Sequence, residues 1–204
     1  MGYYMRVLTP SETCFKPTQV QEYFRTCKIK AVVEADDMQD AGWENIVFRH
    51  PKGSEIAAVE RSHVESGSIG SEEIAEFDQA LAEALPTSGA DWVRQYLKRV
   101  KNVYAIQVLS GSEKPGGWKS IRAFLEYVKD NHGGIVQADG EGFSNEGGWH
   151  VVWDFSDDVE GDWGMAVLKN GKWVCFRMEL GDRQHRKAFK AGNVPAGCQI
   201  VEND

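Results

Sequence analysis

The run QADGEGFSNEGG (137–148) sets two carboxylates, Asp139 and Glu141, two positions apart. On an extended strand alternate side chains share a face, so the pair would point the same way and could bind a hard cation or act as an acid–base couple. His150 follows on the next apolar run and adds a side chain able to exchange protons near neutral pH. Two ready-made ligand templates fail on this stretch. The EF-hand loop needs an acid or amide at its fifth position, which is Phe143 here, and the phosphate cradle G-x-x-x-x-G-K-[ST] is missing. The expected element is a β-hairpin in which 135–143 forms one strand, bulged at Gly140 or Gly142, 144–148 the turn and 149–155 the return strand. Core, solvent or a ligand would lie against the Asp139 and Glu141 face.

A second acidic feature follows at once. Asp154, Asp157, Asp158, Glu160 and Asp162 put five carboxylates into nine residues. Their spacing does not select calcium, so the choice lies between a solvated loop and a patch that docks on a basic surface such as a nuclease cleft. Asp139, Glu141, His150, Asp157, Asp158 and Glu160 together form the candidate ligand or partner face. Arg183, Arg186, Lys187 and Lys190 crowd a short helical stretch (182–192), whose expected role is solvated or intramolecular, turned toward the acidic loop.

No catalytic residue and no metal ligand is assigned. The five histidines show neither H-x-x-x-H nor H-E-x-x-H spacing, no serine sits in a G-x-S-x-G setting, and Cys14, Cys27, Cys175 and Cys198 form no C-x-x-C pair. Scattered in this way they read as reduced thiols of a cytoplasmic protein. No cofactor fingerprint is present, and Trp149 and Trp153, four apart, suit a buried sheet face better than a ligand platform.

Composition narrows the class. The chain of 204 residues is 42% hydrophobic and 26% charged, the make-up of a soluble globular protein with enough length for a substantial core. No apolar window approaches a membrane span, and the first residues lack a secretory signal or a myristoylation pattern. The net charge of −8 argues against a general nucleic-acid binder and equally suits a soluble enzyme or a protein that meets a basic partner. The excess is uneven: residues 165–204 carry 7 basic and 4 acidic side chains, against 16 and 27 before them.

The elements that must position these residues follow from periodicity and turn chemistry. Strands are expected at 3–8, 29–35, 45–50, 55–62 and 103–111, with the PKGS turn closing a hairpin between the third and fourth. Helices are expected after Thr18, through Ile74, Phe77, Leu81 and Leu85, from Trp92 to Val100 after a break at PTSGAD, and from Trp118 to a C-cap at Gly133. Asn170-Gly171 marks a tight hairpin, and the basic helix precedes a tail ending CQIVEND. No βαβα alternation with a glycine fingerprint supports a nucleotide-binding fold. The expected architecture is α+β, with mixed, mainly antiparallel sheet and about four to five helices. It would be either one compact domain, 1–204, or two closely packed halves, 1–111 and 112–204.

YYMRVL, YAIQVLSG, QADGEGFSNEGG with its following Trp, and VLKNGKWVCFRMELGDRQHRKAF resemble a family of small bacterial proteins with no established function, QADGEGFSN being the most specific block. The resemblance covers most of the chain. It implies a bacterial cytoplasmic origin and one integrated fold, and it carries no catalytic residue over. Function is left open by the resemblance; size, acidic charge, the acidic loop and the lack of a catalytic signature leave two alternative functions. One is a non-enzymatic protein-binding module, of the toxin-immunity type of inhibitor, presenting an acidic surface. The other is a small enzyme or ligand-binding domain using Asp139, Glu141 and His150 around the 134–155 hairpin.

Overall fold

The computed structural model describes residues 2–201. In chain order the elements are β1 (Tyr3–Thr9), α1 (Pro17–Thr26), β2 (Val32–Glu34), β3 (Asn45–Arg49), β4 (Glu55–His63), α2 (Ile69–Ala80), α3 (Thr87–Leu97), β5 (Asn102–Val108), α4 (Gly117–His132), β6 (Ile135–Ala138), β7 (Gly142–Phe143), β8 (Asp162–Lys169), β9 (Lys172–Glu179), α5 (Arg183–Lys190) and β10 (Gln199–Val201). The last three residues of the tail, 202–204, lie outside the described residues, as does Met1. Five α-helices accompany mainly antiparallel sheet among the described residues, which makes the fold α+β.

The chain divides into two compact units, each built from two separated segments: Met1–Glu72 with Val100–Val136, and Glu73–Arg99 with Gln137–Asp204. This division differs from consecutive halves meeting at residue 111. Gly111 lies well inside the first unit, where a side chain on it would collide with the backbone of Glu55 and Ile56. The glycine there serves close packing and marks no linker.

In the first unit the strand order is β2-β3-β4-β5-β1-β6. The PKGS turn does close β3 and β4 into an antiparallel pair, with Ile46 opposite Val59. β5 is central, paired antiparallel with β4 (Val59 opposite Ile106) and with β1 (Val7 opposite Tyr104). α1 and α4 supply apolar stripes to the same core. Val20 and Phe24 come from α1, and Ile121, Phe124 and Val128 from α4, all fully buried. Phe15 stacks on Tyr104 at 5.4 Å and meets Phe124 edge-on at 6.2 Å. Each such ring contributes about 1.5–3 kcal/mol by leaving water. α1 starts at Pro17, with its amide-free N1 position, and not after Thr18.

In the second unit β7 pairs with the end of β6, and β10-β9-β8 form a three-stranded sheet. Asn170 (φ +51°) and Gly171 (φ +76°) make the tight β8–β9 turn that the sequence predicts. Phe176, Phe189, Met165 and Leu180 form its buried centre. α3 begins one turn before the expected start, running through Ser88 and Gly89. Gly89 lies inside this helix with the carbonyl of Val151 where its Cβ would be. Close approach explains the glycine here, and tertiary packing overrides propensity.

Candidate functional site

The acidic loop is the part of the second unit with the clearest construction. Asp182 caps α5, its carboxylate accepting from the backbone N–H of Gln184 at 2.7 Å and of His185 at 3.2 Å. That cap sets the helix so that Arg186, one turn along, turns back on the loop. The Arg186 guanidinium donates to the carbonyls of Asp157 at 2.7 Å, Val159 at 2.9 Å and Leu180. It also lies 5.8 Å from the centre of the Trp153 ring, with Lys190 over the same ring at 4.9 Å. Only 12% of the Arg186 side chain is exposed, against 96% for Asp157, whose carboxylate stands 3.5 Å from Nη1. The arginine therefore grips the loop by its backbone and leaves the carboxylates facing water.

The other loop acids follow the same pattern. Asp158 is exposed and accepts from the Ser156 hydroxyl at 2.6 Å, and this bond is the main reason its pKa is held below the ordinary carboxylate value. Glu160 is exposed, its side-chain stem beside Gly181. Asp162 is tied to Arg177 at 2.5 Å across β8 and β9. Expectation and structure meet at one further point: the basic helix does face the acidic loop, through Arg186.

The 135–155 segment departs from the expected hairpin. β6 stops at Ala138, and the chain turns at once through Asp139, Gly140 (φ +70°) and Glu141, whose N–H donates to Ala138 at 3.1 Å. β7 is only two residues long, and its Gly142 (φ +91°) presses against the carbonyl of Val152, where no side chain fits. A second turn follows at 145–148, held by the Asn145 side chain accepting from Trp149 N–H at 3.0 Å. The expected return strand is irregular instead. His150 exchanges backbone hydrogen bonds with Gly164 and Ala166, while Trp153 N–H donates to Leu85, so 149–155 spreads its backbone over several neighbours.

This geometry separates the candidate residues. Asp139 and Glu141 occupy a turn and not one face of a strand. The Gly140 N–H is donated to Asp154. Asp154 as a residue is exposed, yet its carboxyl group loses hydration beside the turn; that loss, with the nearby Asp139 charge, raises its pKa despite the Gly140 bond. The His150 ring lies between Phe155, at 5.4 Å, and Trp163, at 5.1 Å. Burial alone pushes its pKa down to about 4, no carboxylate contributing to the shift, and its buried Nδ1 has no hydrogen-bond partner. A neutral imidazole enclosed by aromatic rings is poorly placed to exchange protons with a substrate at neutral pH.

One further cluster has the residue types of a nucleophilic site. Cys198 Sγ lies 3.9 Å from both ring nitrogens of His185, and Asp182 stands 3.9 Å from that ring. At 3.9 Å from both nitrogens alike, the sulfur lies along the lone-pair direction of neither. Burial, with Asp162 and Asp182 nearby, raises the thiol's pKa, the reverse of what a nucleophile needs. No group of three or more His, Cys, Asp and Glu side chains suited to a metal ion occurs among the described residues. No helix among them is long and apolar enough to cross a membrane.

Fold and site together define an α+β protein with a backbone-anchored acidic loop. Comparison with protein-family models, curated proteins and solved structures returned no match.

Proposed function

We propose that this chain is a non-enzymatic binding module that presents the loop 156–161 to a basic surface on a protein partner. Arg186 carries this reading. Its hydrogen bonds to the loop carbonyls of Asp157 and Val159, with a third to Leu180 just after β9, order the loop before any partner arrives, so the entropy of fixing it is not charged to association. Asp157, Asp158 and Glu160 remain exposed and acidic, able to steer and register a cationic partner. An inhibitor of the bacterial toxin-immunity type, covering a basic cleft, suits this display. Four cysteines outside any disulfide among the described residues and the net charge of −8 fit a cytoplasmic setting for it.

The test is comparative affinity capture from cells that express the protein, using the wild type and Asp157→Asn/Asp158→Asn/Glu160→Gln side by side. A basic protein retained by the wild type in a salt-sensitive way and lost by the triple variant supports the proposal. Identical capture by both proteins overturns it.

A further inference from the structure

The first unit holds a feature of opposite sign. A cavity of about 200 Å³ is lined by Lys28, Lys30, His50, Gly116, Lys119 and Ser120, among others, with no carboxylate in its wall. The three lysines come from separate places: Lys28 follows the end of α1, Lys30 lies on the way to β2, and Lys119 is in the first turn of α4. None of the three is ion-paired among the described residues, in a chain whose 31 acids outnumber its 23 bases.

The wall is held in place. Lys119 Nζ donates to the carbonyl of Cys27 at 3.3 Å, bringing the start of α4 to the end of α1. His50 Nε2 is 2.9 Å from the Gly111 carbonyl, so that nitrogen carries the proton and the ring is fixed against the wall. Lys28 adopts φ +56°, the left-handed position that ends α1, where glycine is the usual occupant. The first turn of α4 adds no acid, and its N-cap, Gly116, has no side chain to cover the backbone donors. All three lysines are exposed around this concavity, where their charges attract an anion and no carboxylate in the wall opposes it.

We infer that this cavity binds a small molecule through a phosphate group, held by Lys28, Lys30 and Lys119. The inference is independent of the acidic-loop proposal, since it concerns other residues and another ligand. Pyrophosphate and inorganic phosphate serve as probes, titrated calorimetrically at constant ionic strength against a chloride control. Saturable one-to-one binding of pyrophosphate is expected. Lys30→Ala/Lys119→Ala should weaken it at least about tenfold, and Lys187→Ala on α5 should leave it unchanged. Lys28→Gly should raise the Tm while weakening binding, which separates loss of the ligand from loss of the fold. Absence of saturable binding overturns the inference. So does equal binding by the double variant, or equal weakening by Lys187→Ala.

Discussion

The acidic loop and the turn-rich segment before it handle charge in opposite ways. Residues 156–161 are irregular and mostly exposed, yet a half-buried arginine holds two of their carbonyls and the carboxylates face water. Residues 142–152 contain two buried polar side chains, Ser144 and Asn145, and a histidine whose ring is packed between aromatic side chains. One region displays charge on a fixed backbone; the other spends polar groups on internal structure. Sequence alone nominates both on the same grounds, acids and small residues in a loop, and their difference lies in what each backbone is bonded to.

Removing the grip should produce the largest effect. Arg186→Ala strips charge-assisted hydrogen bonds from three carbonyls and should cost about 4 kcal/mol in urea unfolding. Arg186→Lys, a point charge that cannot span three acceptors, should recover only part of it. A loss below about 1 kcal/mol would mean that the loop is not organised by this residue.

The buried histidine gives the next effect, and it depends on pH. Its folded pKa, about 4, lies below its ordinary value of 6.5, so the unfolded chain takes up the proton first. The stability associated with the neutral ring is therefore complete above about pH 6.5 and lost as the pH falls toward 4, by about 3 kcal/mol. His150→Phe should remove this component, so that the stability difference between variant and wild type grows in the variant's favour across that window. Parallel curves would show that His150 stays solvated.

Asn145→Ala comes third. It leaves the Trp149 N–H without its acceptor inside the second turn and should cost about 2 kcal/mol, read from the thermal midpoint. Smallest of all is the stability effect of Asp157→Asn/Asp158→Asn/Glu160→Gln, which should leave the Tm in place because exposed charges contribute little to folding. The same triple variant should abolish capture of a basic partner, so the contrast between Tm and capture is what distinguishes display from structure. A fall in Tm comparable to that of Arg186→Ala would make the acids structural.

Much of the architecture is legible in local chemistry. The Asn170-Gly171 turn, the PKGS hairpin and the α4 stripe ending at Gly133 follow from backbone preferences and periodicity over a few residues. Other glycines mislead when read locally. Gly89 looks like a helix break, Gly111 like a linker and Gly142 like a bulge, but each yields space to a carbonyl of another segment, of Val151, Glu55 and Val152 respectively. The cavity lysines carry no local signal at all, since nothing in RTCKIK announces a left-handed Lys28 or the arrival of Lys119.

The sequence by itself determined the α+β class, the main strand and helix positions, and the uneven placement of charge, because these depend on neighbours within one or two turns of chain. Only the tertiary structure decided that Arg186 binds the acidic loop by its carbonyls, that the His150 ring packs between Phe155 and Trp163, and that Asp139 and Glu141 lie in a turn. Those outcomes depend on which distant backbone groups compete for each donor and on how much water survives around each charge, and neither quantity is encoded within any short window of residues.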